Sequence, residues 1–275
     1  YSNSAIGYQS LYSNTTGYQN IANGYGSLYS NTTGYYNSAI GLYSLYSNTT
    51  GYRNSAVGVS SLYSNTTGYY NSAVGYQSLR SNTTGFSNSA VGYQSLYSNS
   101  TGFRNSAIGL ESLFSNTTGD SNSAIGYQSL YSNTSGYGHT ANGYRSLYSN
   151  KTGSGNAVLG AEAGYGVSGG NVASSTLIGY RAGYALATSS ANILLGYQAG
   201  DNLSTGSNNI VLGFDIDAPS ATSANTLNIG NLLFGTSIDG TGTTLSTGNI
   251  GIGTTTPASL LDVAGTVQFR GFSTS

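Results

Sequence analysis

The sequence predicts an all-β fold, a parallel β-solenoid made of 17-residue coils. A glycine recurs every 17 residues from Gly17 to Gly153, and a leucine keeps the same step from Leu11 to Leu147. Only 7 basic and 8 acidic residues occur among 275, whereas Gly, Ser, Asn, Thr and Tyr dominate. A fixed period this short is typical of stacked repeats, in which one unit cannot bury a core alone.

Within the first coil, segments 3–8 and 10–13 are predicted as short strands, and 14–17 as the turn into the next coil. Glycine adopts positive φ at little steric cost, and asparagine tolerates it better than most residues. A helix is excluded because Gly, Ser, Asn and Thr fill each unit and the apolar residues follow no helical period.

Stacked coils place each residue about 4.8 Å from its counterpart, so identical residues form ladders. Like charges would stack as well, which explains the low charge. The alanine and leucine ladders do not vary, so we assign them to a narrow lumen that accepts one size of side chain. These ladders include Ala5, Ala22 and Ala39, and Leu11, Leu28, Leu45, Leu62, Leu79, Leu96, Leu113, Leu130 and Leu147.

The position after the ladder alanine is Ile or Val except at Asn23 and Asn142. An asparagine in a dry lumen costs a few kcal/mol unless it is fully hydrogen-bonded. We therefore expect this ladder on the outer face, where Asn23 and Asn142 would contact neighbouring chains and fix their register. The alternative, that both asparagines bond to neighbouring ladders inside a monomer, stays open.

Three regions are predicted: a regular solenoid at 1–153, looser and more apolar repeats at 154–230, and a small β module at 231–275 that caps the end. In the second region the strands are apolar throughout, at 157–159, 176–178, 192–195 and 209–212. Continuous apolar runs indicate burial on both faces, so one face needs a partner. The expected inter-chain contacts are Ile193, Leu195, Ile210 and Leu212. Candidate strands of the third region lie at 260–263 and 266–269.

Composition narrows the possible functions. The balance of basic and acidic residues gives no attraction to nucleic acid or to anionic membranes. No apolar run is long enough to span a bilayer, and the absence of cysteine excludes disulfides and thiolate metal sites. Because Tyr1 falls inside a repeat unit, we expect the chain to be part of a longer protein.

The motif Asn-Ser-Ala-Ile-Gly-x-x-Ser at 3–10 resembles the repeat of trimeric autotransporter adhesin heads of the YadA type. The segment 192–199 is similar to the form Asn-Ser-Val-Ala-Ile-Gly in that family. This resemblance implies a left-handed parallel β-roll wound as a homotrimer. The segment 248–263 resembles the stretch that precedes the C-terminal intramolecular chaperone of phage tail-fibre-like proteins, which also implies a trimeric fibre.

Candidate catalytic or metal-binding residues are few. His139 is the only histidine. We interpret its repeat position as a variable one, which favours a surface residue over a general base. Glu111 and Glu162 stand alone, and no nucleophile is paired with a base. The segment 164–169 matches G-x-G-x-x-G without a following helical pattern. Asp201 with the pair at 215 and 217 offers carboxylates for Ca²⁺ but no ligand loop.

Two surface features remain. N-glycosylation sequons recur every 17 residues from Asn14 to Asn150, too closely spaced for a glycan on each, so a turn-forming role explains them better. Tyrosine ladders, such as the one that starts with Tyr12, are either stabilising cross-strand stacks or platforms for sugar rings.

We therefore expect a structural and adhesive fibre segment, a homotrimeric shaft outside the cell on a cell surface or virion. It needs no cofactor and is not an enzyme; its partners are copies of itself, with surface glycans as a further ligand. An ice-binding solenoid would need flat T-x-T rows, whereas Thr15 and Thr16 are adjacent in a turn. A carbohydrate-active β-helix enzyme would need an acid/base cluster. The sequence does not decide between an adhesin and a phage fibre.

Overall fold

The computed structural model describes residues 2–267. It confirms an all-β parallel solenoid with 17-residue coils, and the described residues contain no helix. Each regular coil contributes one three-residue strand to a continuous parallel ladder. The strands of the first region are β1 (Ser4–Ile6), β2 (Ile21–Asn23), β3 (Ser38–Ile40), β4 (Ser55–Val57), β5 (Ser72–Val74), β6 (Ser89–Val91), β7 (Ser106–Ile108), β8 (Ser123–Ile125) and β9 (Thr140–Asn142).

The same ladder continues through the second region, where a second sheet is added. The strands here are β10 (Ala157–Leu159), β11 (Asn171–Ala173), β12 (Thr176–Ile178), β13 (Thr188–Ser190), β14 (Ile193–Leu195), β15 (Ile210–Leu212) and β16 (Leu227–Ile229). Strand β10 pairs in parallel with β9 and β12, and β12, β14, β15 and β16 follow in order. The insertion near 167–171 leads into a second, two-stranded sheet of β11 and β13, which the repeat pattern did not predict.

The chain direction changes after β16. Strand β17 (Leu233–Gly235) pairs antiparallel with β16 and with β18 (Ile250–Ile252), and β19 (Leu261–Val263) is parallel to β18. The candidate strand at 260–263 thus corresponds to β19. The candidate at 266–269 extends outside the described residues, and 266–267 are not in a strand.

The predicted second strand at 10–13 is wrong, because the backbone turns there. Leu11 has φ 51°, and in a later coil Tyr43 and Leu45 have φ 55° and 50°. An isolated left-handed residue costs about 1–2 kcal/mol, so residue type alone does not indicate this turn. Two interactions offset this cost: the leucine is buried, and its N–H bonds to the next coil, as Leu45 N–H does to Ser61 O at 3.0 Å.

The solenoid core consists of the central alanine of each strand and the leucine of the turn. From Ala22 and Leu28 onward these side chains are fully buried through the regular region. In the first described coil Ala5 is exposed and Leu11 is partly buried, because no coil lies above them in the structure.

The core changes its composition beyond residue 153. The strand centre grows from Ala141 to Val158, Leu177, Leu194 and Val211, all of them buried. The leucine column that ends at Leu147 continues as glycines at 164, 183 and 200. A Cβ on Gly183 would lie 2.9 Å from Leu194 Cδ1, so the glycine makes room for the larger strand residue. Buried Leu186 and Leu203 replace asparagines at the next corner.

The apolar strands of the second region are buried on one face only in the single chain. Leu194 and Val211 point into the core, whereas Ile193 is exposed and Leu195 is half-buried on the outer side. The expected burial of both faces is therefore not met within one chain.

Candidate functional site

The outer face of the strand ladder carries a continuous apolar row, which we call the outer stripe. It consists of the third residue of each strand of the long ladder from β1 to β16. Typical members are Ile40, Val74 and Ile108, with exposed fractions of 42%, 40% and 44%. Long exposed apolar patches of this kind mark interaction surfaces. The stripe comprises Ile6, Asn23, Ile40, Val57, Val74, Val91, Ile108, Ile125, Asn142, Leu159, Ile178, Leu195, Leu212 and Ile229.

Asn23 and Asn142 both lie in this stripe. Asn23 pairs in register with Ile6 and Ile40, and Asn142 pairs with Ile125 and Leu159. Their side chains are exposed on the single chain rather than directed into the core. Each therefore places a polar group in an otherwise apolar surface row.

Two residues after each stripe residue from Ile6 to Leu212, a second column is mostly aromatic, and we call it the flanking column. Tyr76 and Tyr93 stack with ring centroids 5.2 Å apart, and Tyr127 and Tyr144 stack at 5.3 Å. Other coils hold a non-aromatic residue at this position. The column comprises Tyr8, Tyr25, Leu42, Val59, Tyr76, Tyr93, Leu110, Tyr127, Tyr144, Ala161, Tyr180, Tyr197 and Phe214.

The tyrosine ladder that starts at Tyr12 is a stack of rings along the solenoid. Tyr29 and Tyr46 have centroids 5.0 Å apart and planes inclined by 9°, and Tyr46 and Tyr63 follow at 5.2 Å and 4°. Each inner ring therefore has both faces covered by its neighbours and presents only its edge. This geometry favours a stabilising role over that of an open platform for sugar rings.

Arg80 takes one position of this ladder. Its guanidinium carbon lies 5.2 Å from the ring centroid of Tyr63 and 5.8 Å from that of Tyr97. Both distances are within the range of a cation–π interaction. A planar group that is not a phenol thus fills the space between two tyrosine rings.

The sequon asparagines form a buried ladder. Asn48 Nδ2 donates to Asn31 Oδ1 at 2.8 Å and to Gly51 O at 3.0 Å, so both of its N–H bonds are used. The equivalent side chains from Asn31 to Asn150 are buried. A glycan on such a nitrogen would replace one of these two N–H donors and find no space. The hydroxyl of the following residue is also bonded to the next coil, as Thr49 Oγ1 is to Thr66 O at 3.1 Å.

The expectation that His139 lies at the surface is wrong, since only 1% of the residue is exposed. It occupies a ladder position that is asparagine in the preceding coils, such as Asn122. Its Nε2–H donates to Gly153 O at 2.6 Å, and its Nδ1 accepts from the Asn156 N–H at 3.3 Å. Burial lowers the pKa of His139 to about 4, against the opposing effect of the bond to Gly153. The neutral imidazole reproduces the donor and acceptor of a carboxamide, which residue type alone did not reveal.

Two glutamates accept hydrogen bonds from neighbouring side chains, whereas Asp217 lies near another carboxylate. Arg181 Nε donates to Glu162 Oε2 at 2.7 Å, and Gln128 Nε2 donates to Glu111 Oε2 at 2.7 Å. Burial, followed by the nearby Asp201 carboxylate, raises the pKa of Asp217. Within residues 2–267, no group of three or more His, Cys, Asp or Glu side chains is placed to hold a metal ion.

The part of the chain that the structure describes has no helix with the length and hydropathy of a membrane span. A comparison with family models, curated proteins and solved structures found no match to this chain. The fold and the outer surface therefore carry the functional argument.

Proposed function

We propose that the chain is a segment of a structural and adhesive fibre, a homotrimeric β-solenoid shaft displayed outside the cell on a cell surface or virion. The observation that carries this proposal is the outer stripe, a mostly apolar row on the outer face that follows the strand ladder from β1 to β16. Burial of apolar surface is the main driving force of association, and such a row offers it at every coil except those of Asn23 and Asn142. The resemblance to adhesin heads and to phage tail fibres supplies the trimeric state of the proposal.

The proposed role is mechanical and non-enzymatic, and it involves neither a cofactor nor nucleic acid. Inter-coil hydrogen bonds run along the solenoid, for example Leu45 N–H to Ser61 O at 3.0 Å and Asn48 Nδ2 to Asn31 Oδ1 at 2.8 Å. A stack held by such repeating bonds suits a shaft that keeps a tip away from a surface. The contacts between chains would include Leu195, Leu212, Asn23 and Asn142 in the outer stripe, and Ile193 and Ile210 at the start of β14 and β15.

Sedimentation equilibrium of the intact chain tests this proposal. We expect a mass of three chains at micromolar protein and a shift towards one chain in the double variant Leu195→Lys with Leu212→Lys. A matched control, Thr50→Lys with Thr67→Lys, adds the same charge at exposed positions of the turn face and should leave the mass unchanged. A native chain that sediments as a monomer would contradict the proposal.

A further inference from the structure

The outer stripe has a continuation in the last three described strands. Leu233 of β17 pairs with Ile229, the last stripe residue, and Ile252 of β18 pairs with Leu233. Val263 of β19 in turn pairs with Ile252. Residues that lie opposite each other in a sheet project from the same face, so the reversal of chain direction at β17 leaves the apolar row unbroken.

The apolar surface is also wider here than in the regular region, because the first residue of each strand lies on the same face as the third. From β3 to β8 this first residue is serine, whereas Ile210 and Leu227 start a second apolar column that Ile250 and Leu261 continue. Gly235 lies between Leu227 and Ile250, and a Cβ added to it would be 2.9 Å from Leu227 Cβ. We call the outward apolar residues of β17–β19 the terminal face: Leu233, Ile250, Ile252, Leu261 and Val263.

These three strands bury little within one chain. Phe234 is the only Leu, Ile, Val or Phe side chain described at 231–267 that is buried. Its partners in the inward column are Asn228 and Gly251, which add one polar side chain and none. On the terminal face, Ile252 and Leu261 are 38% and 61% exposed. One buried ring does not offset the conformational entropy lost in ordering three strands, so this part of the chain needs further apolar burial to be stable.

A second copy of the chain is the partner that fits this face. The sequence has no basic residue at 231–267 that could bind an acidic partner. Its two carboxylates there are already bonded within the chain: Thr247 N–H donates to Asp239 Oδ1 at 2.8 Å, and Ala258 N–H donates to Asp262 Oδ2 at 2.9 Å. The same apolar face on a second copy needs no charged group to be buried against it. Continuity with the outer stripe brings the same neighbouring chains to this place.

We propose that the terminal face packs against a second copy of the chain and that β17–β19 are stable only in this contact. The inference rests on the proposed function, because it assigns a further part of the contact between the chains of the fibre. It adds a dependence of local folding on association. The regular region buries its own core, with Ala56 and Leu62 fully buried in a single chain, whereas the last three described strands do not.

Cross-linking through a single cysteine tests the contact on the intact chain. The sequence contains no cysteine, so Ile252→Cys offers one thiol per chain to a short bismaleimide. We expect covalently linked chains on a denaturing gel. The matched control is Thr243→Cys, in the exposed connection between β17 and β18, which should stay unlinked. Unlinked Ile252→Cys in a preparation that sediments as a trimer would overturn the inference and leave the proposed function intact, whereas a monomeric native chain would overturn both.

Amide hydrogen exchange tests the dependence of local folding on association. Ile252 and Leu261 are exposed in a single chain, so replacing both by asparagine would be nearly neutral there. Because the inference buries both side chains between chains, Ile252→Asn with Leu261→Asn should lower the protection of β18 and β19 by about 100-fold, while β4–β7 keep theirs. Thr241→Asn with Thr243→Asn, in the exposed connection, is the control without effect. Native protection of β18 and β19 in the Ile252 and Leu261 double variant would overturn the inference.

Discussion

The Nδ1 atom of His139 accepts a hydrogen bond from the backbone N–H of Asn156, one coil further along the chain, at 3.3 Å. In preceding coils an asparagine Oδ1 makes this contact, as Asn88 Oδ1 does with the Asn105 N–H at 3.0 Å. If Nδ1 were protonated, its N–H and the N–H of Asn156 would face each other as two buried donors without an acceptor between them. The single histidine therefore makes the stability of this ladder depend on pH.

Acidification should destabilise the protein through His139. Its pKa is about 4 when folded against 6.5 ordinarily, so below pH 6.5 the unfolded chain takes up a proton that the folded chain does not. The free energy of unfolding should fall by about 3 kcal/mol as the pH drops from 6.5 to about 4. Below pH 4 both states bind the proton, so His139 should cause no further decrease. Denaturant unfolding across this range should show the loss in the native chain and not in His139→Asn. Identical pH dependence of the two proteins would contradict the prediction.

The periodicity of the sequence was sufficient to predict the solenoid, its period and the strands at 157–159 and 176–178. The reason is that stacking imposes one environment on every residue of a column. The backbone conformation of Leu45 was harder to predict. Its φ of 50° is left-handed, which leucine disfavours, and contacts with neighbouring coils stabilise it. His139 was missed because a ring that mimics a carboxamide is recognised only when its two nitrogen partners are known.

The candidate site could be predicted only in part. The polar intrusions Asn23 and Asn142 indicated the outer face, because an unpaired asparagine would not be tolerated in the lumen. The flanking column was not predicted, since a column that varies in residue type gives no sign of stacking until its rings are seen together, as with Tyr76 and Tyr93. Nor does a sequence column show whether its rings present faces or edges, which decides the role of Tyr46 and Tyr63.

The leucine column should contribute more to stability than the tyrosine ladder. Leu79 is fully buried, and Leu79→Ala should cost about 2–5 kcal/mol per chain through lost contacts and a residual cavity. Tyr97 stacks on Phe114 at 5.1 Å but keeps its edge exposed, so Tyr97→Ser should cost about 1 kcal/mol. Chemical denaturation of both variants measures the difference. Equal losses would show that the core is wrongly assigned.

Gly41 should be irreplaceable because of the close approach between coils. Its φ is 130°, and an added Cβ would lie 2.6 Å from Gly58 O and 2.8 Å from Gly58 C, both main-chain atoms. Gly41→Ala should therefore cost more than about 4 kcal/mol. Gly138, with φ 67° and open space around its Cβ position, is the matched control, and Gly138→Ala should cost about 1 kcal/mol. Similar melting temperatures for the two variants would refute the argument.

The last prediction concerns the polar residue Asn23 of the outer stripe, which separates Ile6 from Ile40. In an isolated chain, Asn23→Ile would only expose another apolar side chain and should not raise stability. In the proposed trimer it would extend the apolar contact between chains, with a gain of about 1–2 kcal/mol per chain.

The same change would remove a polar group that fixes the register between chains, as a buried asparagine does in coiled coils. We therefore expect Asn23→Ile to melt at a higher temperature and to form some staggered trimers, visible as fibres of unequal length by electron microscopy. Asn142→Ile should behave in the same way, and Thr33→Ile, on the exposed turn face, serves as the control without effect. An unchanged melting temperature together with uniform fibres would mean that Asn23 faces solvent in the assembled protein, and that another face joins the chains.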